Sequence, residues 1–335
     1  MTLRRGLIVA PSWIGDAVLA QPLFQRLQER HPGLVLDALA PRWVGPVLNR
    51  MDEIREVIDN PFAHGELNLK ARWALGRRLA ARDYDAAWVL PNSLKSALVT
   101  AFAGIPQRIG FTGESRYGLL NCRHTLDKAA TPLMVERFAQ LAEVPGTPPP
   151  RPIPAPRLHS QGQDQARTLA ALGLKRPARL LACCPGAEYG PAKRWPEEHY
   201  AALAKAAAAR GWTVWLLGSH KDAPVGEAIV AAAPGAARNL CGSTSLDQAI
   251  DLLALADHVV CNDSGLMHVA AALGRSLTAL YGSSSPGFTP PLSEQATVLS
   301  LELECSPCFK RECPLGHFKC LRELTPTQVL DTLPR

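Results

Sequence analysis

The feature that most constrains this chain is a repeated alternation of short, almost wholly apolar runs with longer segments of helical periodicity. Before the midpoint the runs fall at 6–10, 34–39 and 86–90, separated by helical patterns such as 16–29 and 69–81. Beyond it they fall at 180–184, 213–218, 258–261 and 277–281, with helices predicted over 196–210, 246–256 and 265–273. A run this short and apolar on both faces suits a parallel strand covered by crossover helices on either side. The expected class is α/β, built as two Rossmann-like, doubly wound domains that face each other across a cleft. No internal sequence repeat is evident.

The boundary between them is written in proline. Residues 145–157 read PGTPPPRPIPAPR, seven prolines in thirteen positions. Proline lacks the amide proton and fixes φ, so neither a helix nor a central strand runs through such a stretch. Domains are therefore expected at 1–155 and 156–335, and 335 residues suit two cores of roughly 100–200 residues each. With 47% hydrophobic and 20% charged residues the composition excludes a disordered chain.

The net charge of +6 is uneven: residues 1–155 hold 19 Lys/Arg against 14 Asp/Glu, and 156–335 hold 17 against 16. Such a field suits an acidic substrate or a phospholipid surface, and equally suits ordinary solubility. The opening MTLRRGLIVAPSWIGDAVLA has the basic and apolar order of a signal peptide, but Asp16 interrupts the apolar run and no clean small-residue cleavage site follows. No apolar run reaches the roughly 18–20 residues of a membrane helix. The expectation is a cytoplasmic protein able to touch a membrane surface.

Three polar segments follow apolar runs. In PSWIGDAVLAQPLFQRLQER (11–30), Gly15 permits close backbone approach and Asp16 stands near a helix start at the carboxyl edge of a sheet, where α/β ligands bind. Asp at such a place is most often a helix cap, and that reading stands beside the functional one. In CPGAEYGPAKRWPEEHYAAL (184–203), an irregular Gly/Pro loop brings Lys193 in front of a helix opened by Pro196, an arrangement suited to a diphosphate, although it is no Walker loop. In VVCNDSGLMHVAAALG (259–274), Asn262, Asp263, Ser264 and Gly265 make a polar turn between strand and helix, with His268 one turn on. Residues four apart share a helix face, so Ser264, the Gly265 amide and His268 can converge on one anion. A cap followed by a half-buried histidine is the plainer alternative.

Of nine cysteines, Cys122, Cys183, Cys184, Cys241 and Cys261 lie singly or in apolar strands, as small buried hydrophobes do. The other four crowd into CSPCFKRECPLGHFKC as Cys305, Cys308, Cys313 and Cys320, with His317 among them. In a reducing compartment four close thiols favour a tetrahedral metal over disulfides, and the reading adopted is a structural zinc. Because the segment lies beyond the three polar segments in sequence, its loss is expected to act on stability rather than on ligand binding at those segments.

These segments, taken with LPNSLKSAL (90–98), RIGF (108–111), RYGLLN (116–121), LYGSSSP (280–286) and FTPPL (288–292), resemble the lipopolysaccharide heptosyltransferases of glycosyltransferase family 9. The resemblance spans most of the chain, and PSWIGD with LPNSLKSAL inclines it to the second type. It implies GT-B architecture, acceptor on the first domain and donor on the second. It also implies inverting transfer of L-glycero-D-manno-heptose from ADP-heptose to the first heptose of a Kdo2-lipid A core. Carried onto this chain, Asp16 matches the general base, Lys193 a donor-phosphate lysine, and Asp263, Ser264, Gly265 and His268 the donor turn, while Ser12 matches a residue of the N-terminal loop. Two matches fail: Glu188 and Tyr189 stand where relatives of the first type carry hydroxyl residues, and their ribose-binding acid has no clear counterpart near 219–222. No cofactor is needed if protein groups neutralise the diphosphate. Lys95, Arg108, Arg116 and Arg137, in the basic half, are candidates for the acceptor's carboxylates and phosphates.

The expected partners are thus ADP-heptose, a heptosyl-Kdo2-lipid A acceptor and, transiently, the cytoplasmic face of the inner membrane. Heptosyltransferases of the first or third type remain as alternatives that differ in acceptor. A nicotinamide-dependent oxidoreductase would want GxGxxG after the first strand, which PSWIGD lacks. A zinc-containing nucleic-acid binder would leave the donor turn without a purpose, and a pI of 8.9 is modest for it, so no nucleic acid is expected.

Overall fold

The computed structural model describes residues 3–63 and 65–334. They divide into two compact units, Met1–Pro156 and Arg157–Arg335, whose boundary falls inside the proline-rich segment, a stretch without helix or strand.

The first unit contains β1 (Arg5–Val9), α1 (Ile14–Leu19), α2 (Gln21–Arg30), β2 (Val35–Ala40), α3 (Gly45–Leu48), β3 (Ile54–Asp59) and α4 (Leu69–Ala80). It continues with β4 (Ala86–Val89), α5 (Leu94–Phe102), β5 (Gln107–Phe111), β6 (Cys122–His124) and α6 (Met134–Gln140). Its sheet runs β3-β2-β1-β4-β5-β6 with every pair parallel. β1 sits in the middle because RGLIV is apolar on both faces: Leu7, Ile8 and Val9 are buried, and Leu7 and Val9 pack with Leu39, Leu75, Leu79 and Val99. The single helix expected over 16–29 is two. Ala20, in right-handed helical conformation, ends α1 and caps α2, and Pro22 stands in the first turn of α2, where its missing amide donor costs nothing.

The second unit contains α7 (Gly162–Ala171), β7 (Leu180–Cys184), α8 (Glu197–Ala209), β8 (Thr213–Leu216), α9 (Ala223–Ala232), β9 (Arg238–Asn239) and α10 (Leu246–Leu255). After these come β10 (His258–Asn262), α11 (Gly265–Ala272), β11 (Leu277–Tyr281), β12 (Ala296–Ser300), α12 (Lys319–Arg322) and α13 (Pro326–Leu330). Its sheet runs β12-β11-β10-β7-β8-β9, again all parallel. Counted from its own first strand, this is the order of the first unit, so the two halves repeat a topology that their sequences do not repeat. Trp195, Tyr200, Trp212, Leu216, Ile229 and Val260 belong to one buried cluster, and the Trp195 indole donates to the Leu324 carbonyl at 2.8 Å.

In each unit the strand order reverses between two central neighbours, β1/β4 in the first and β7/β10 in the second. Loops leaving the carboxyl ends of such strands diverge and open a crevice for ligand. Among the described residues no helix is long and apolar enough to cross a membrane.

Candidate active site

In the second unit the loops after β7 and β10 are fastened together by one buried amide. Asn262 ends β10; its Oδ1 accepts from the Trp195 backbone at 3.0 Å and the Tyr200 hydroxyl at 3.2 Å, and its Nδ2 donates to the Pro185 carbonyl at 2.7 Å. Glycine is required at 186, since a Cβ there would lie 2.3 Å from the Asp222 carboxylate carbon. Asp222 is itself held by the Ser219 amide at 2.9 Å and hydroxyl at 2.7 Å, so its carboxylate braces the donor loop from the side of β8.

Lys193 closes a short 3-10 turn, Pro191–Lys193, and its ammonium donates to Asp263 at 2.5 Å. The pair is largely buried, with side-chain exposures of 18% and 5%. The sequence marks both positions, but not that the two side chains bind each other and offset each other's charge. Ser264 follows as the N-cap of α11 in extended conformation, and its hydroxyl oxygen is buried with no hydrogen-bond partner among the described residues. The open amides of the first turn of α11 lie immediately after it, the usual place for an oxyanion. His268 is buried one turn further; burial pushes its pKa down to about 4, Asp263 opposing this shift and Lys193 adding to it. The imidazole is neutral at pH 7, so it offers the site a hydrogen bond and no charge.

In the first unit Ser12 lies exposed in the loop after β1, and its carbonyl accepts from the Trp43 indole at 2.9 Å. Trp13 is the N-cap residue of α1, without a side-chain cap, and Asp16 is the third residue of the helix. Asp16 is therefore not the N-cap of the plainer reading; it is a half-buried acid of the first turn. Lys95 is the second residue of α5, which follows β4, so the loops bearing Asp16 and Lys95 leave adjacent strands at the same edge.

The three arginines proposed with Lys95 are engaged in other ways. Arg116 is fully buried, donates to the carbonyls of Pro91, at 2.6 Å, and Phe111, and has its pKa lowered to about 10 by burial. Arg108 donates to Leu119 and Ile105 carbonyls at 2.6 Å each, and Arg137 to those of Thr131 and Pro132 at 3.0 and 3.2 Å. These guanidinium groups act as struts for the loops around β5 and α6, which lowers their standing as acceptor ligands.

Comparison with known proteins is consistent with this geometry. Residues 72–319 match the description Glycosyltransferase family 9 (heptosyltransferase). The chain is 47% identical to Lipopolysaccharide heptosyltransferase 2 of Escherichia coli K12, covering 98% of this chain and 97% of that one. It is 45% identical to Lipooligosaccharide heptosyltransferase 2 of Haemophilus influenzae at the same coverage. Among solved structures, that of E. coli ADP-heptose LPS heptosyltransferase II superposes with a TM-score of 0.89 at 45% identity, covering 98% of this chain and 97% of that one.

The chain belongs to glycosyltransferase family 9, the heptosyltransferases.

In this heptosyltransferase the cysteine-rich segment, distant in sequence from Lys193, lies in contact with the loop that carries it. The Ala192 amide donates to the Arg311 carbonyl at 3.0 Å and the Tyr189 hydroxyl to the Phe309 carbonyl at 2.9 Å. A Cβ on Gly190 would stand 2.5 Å from the Arg311 carbonyl oxygen. On its other side the segment holds the loop after β11, where the Phe309 amide donates to the Ser283 carbonyl at 2.7 Å and the Ser306 hydroxyl to that of Gly282. Cys305, Cys308, Cys313 and Cys320 all line one cavity of about 20 Å³, with His317 on its wall. Burial pushes the Cys313 thiol up, but the amides of Phe318, Leu315, His317 and Gly316 together bring it below the usual thiol value. The thiols surround this space without being drawn in, and among the described residues no three His, Cys, Asp or Glu stand arranged to hold an ion. Cys183, Cys184 and Cys261 are fully buried strand residues whose thiols burial pushes up, as small buried hydrophobes should be, whereas Cys122 is half-buried.

Proposed function

We propose that this chain transfers L-glycero-D-manno-heptose from ADP-heptose to the first heptose of a Kdo2-lipid A core, with inversion, using its second unit for the donor and its first for the acceptor. The observation that carries the reading is the turn after β10, where Asp263 fixes Lys193 next to the Ser264 hydroxyl, which has no partner among the described residues, and the open first turn of α11. The near-half identity to heptosyltransferases of the second type supports the choice of acceptor.

In the reaction the acceptor hydroxyl loses its proton to Asp16 as its oxygen forms the new bond to the anomeric carbon. The bond from that carbon to the diphosphate oxygen breaks on the opposite face, and the electron pair leaves on ADP. A single displacement inverts the centre. Lys193, the α11 amides and the neutral His268 ring stabilise the negative charge that grows on the leaving diphosphate. Asp16 contributes as general base, worth roughly 100- to 10,000-fold in rate. Ser12 lies in the loop that leads into α1 and Asp16, and Lys95 at the same sheet edge; Lys95 is the candidate for an acceptor anion, and the excess of basic residues in 1–155 favours an approach to the anionic inner membrane face from the cytoplasm.

The four cysteines are read as a site for one structural zinc. Their grouping around one cavity and the backbone amides that lower the Cys313 thiol support this reading, and the thiols would have to close on that cavity to hold an ion. Such an ion would brace the segment. Elemental analysis of protein purified without chelator is expected to find about one zinc per chain, and metal-free protein with unchanged stability and transfer would reject the site.

The function is tested by incubating the protein with ADP-heptose and mono-heptosylated Kdo2-lipid A. The expected product is heavier by one heptose; ADP binding with no transfer to that acceptor would overturn the assignment.

A further inference from the structure

Tyr189 and the cysteine-rich segment take on a role when the charge in the donor turn is followed through. Lys193 does not bring a whole positive charge to an incoming diphosphate, because Asp263 lies 2.5 Å from its ammonium and both are largely buried. The diphosphate of a nucleotide sugar carries about two negative charges, and roughly one more develops as the sugar departs. A neutral His268 adds none. A further cation is called for, and the structure holds one beside the pair. The Arg311 guanidinium lies 5.2 Å from the centre of the Tyr189 ring, and the Lys193 ammonium lies 5.1 Å from the same centre. The two cations share one aromatic ring and are therefore no more than about 10 Å apart, close enough for a single multiply charged group to engage both. Arg311 is exposed, and it forms no ion pair among the described residues.

We infer that Arg311, carried on the cysteine-rich segment between Cys308 and Cys313, is the second cation of the donor-diphosphate site, with Tyr189 as the residue that positions it. Its main chain is already pinned to the donor loop through the Ala192 amide, and Tyr189 is tied to the same segment through its hydroxyl. Guanidinium suits the task because its fork can meet two phosphate oxygens at once. This inference rests on the reading of the second unit as the donor site.

The test is calorimetric titration of ADP, AMP and adenosine into the parent, Arg311→Gln and Arg311→Lys, with thermal unfolding of each. The pinning bond uses the main chain, so both variants are expected to unfold with the parent. For Arg311→Gln the ADP Kd is expected to rise about 10- to 100-fold, the AMP Kd less and the adenosine Kd not at all, with part of the ADP affinity restored in Arg311→Lys. The same variant should raise the donor KM. ADP affinity within twofold of the parent in Arg311→Gln would overturn the role of Arg311, and an equal loss for adenosine would show that the segment had merely shifted. A parent that binds no ADP would instead overturn the donor-site reading on which the inference rests.

Discussion

The two units have the same strand order and place their polar loops at the same topological point, yet they present those loops in opposite conditions. In the second unit the groups are bound to one another before any ligand arrives: Asn262 joins the loops after β7 and β10, Asp263 holds Lys193, and a segment of 16 residues, 305–320, presses on the loop from outside. In the first, the loop after β1 presents exposed Ser12 and Trp13, with the exposed Trp43 tied to it. A small, rigid, highly charged donor rewards preorganised charge, because dipoles fixed in advance need no reorganisation as the leaving group departs. A large acceptor rewards an open surface. Under the proposed function the shared fold supplies the two crevices, the tied loops after β7 and β10 for the donor and the open loop after β1 for the acceptor.

Four measurements press on that contrast. The largest effect is expected at Asp16, whose replacement by Asn should reduce turnover roughly 100- to 10,000-fold. Asp16 is a first-turn acid rather than the N-cap, so the neutral amide gives up its interaction with the helix dipole, about 0.3–1 kcal/mol. Turnover within about threefold of the parent would return Asp16 to a purely local role.

Next is Lys193→Ala, which should lower donor affinity and turnover together by roughly 100-fold. It should also destabilise the chain by roughly 2 kcal/mol, because Asp263 is left buried without its cation. Adding Asp263→Asn should recover stability without recovering transfer. A double variant as unstable as the single one would show that the pair is not the source of the loss.

Acidification should weaken the second unit. His258 is buried between the hydroxyls of Ser276 and Thr278, both at 2.9 Å, and burial lowers its pKa to about 4, as it does that of His268. An unfolded histidine titrates near 6.5, so between pH 6.5 and 4 the unfolded chain holds more protons than the folded one. Stability from these rings is complete above about pH 6.5 and declines as pH falls towards 4, by about 3 kcal/mol for each ring at the bottom of the window. Denaturant unfolding at pH 7 and pH 4.5 reads this directly, and His258→Gln should flatten the slope; a parent equally stable at both would contradict it.

The smallest effect is expected from Trp43→Phe, which removes the hydrogen bond to the Ser12 carbonyl and keeps the aromatic surface. A loss of about 1 kcal/mol and a few-fold in turnover is expected, with ADP affinity unchanged. Weakened ADP binding in this variant would mean that the first unit takes part in donor recognition.

Much of this architecture was legible because central parallel strands are apolar on both faces. β1, β7, β10 and β11 were all visible as uninterrupted runs, and the polar residues that interrupt the pattern at Asp16, Lys193 and Asp263 marked the sheet edge. The edge strands β3 and β12 were not visible: one side of each faces solvent, so IREVID and ATVLS carry no apolar run. The repeated topology was hidden for a related reason, since strand order depends on which crossovers neighbour each other and leaves no periodic mark in sequence. Positions were easier to read than partners. Nothing in the local sequence tells that Arg108, Arg116 and Arg137 turn to main-chain carbonyls, or that a segment more than 100 residues after Lys193 comes back to hold its loop. Gly190 was the available sign of that contact, as a residue whose missing side chain makes room for the Arg311 carbonyl.

The division of labour between the units is tested most directly by equilibrium titration of ADP into Asp16→Asn and Lys193→Ala side by side. If the second unit alone binds the donor nucleotide, Asp16→Asn binds ADP within twofold of the parent while failing to turn over, and Lys193→Ala loses affinity roughly 100-fold. Loss of ADP affinity in Asp16→Asn, or parent-like affinity in Lys193→Ala, would contradict the account.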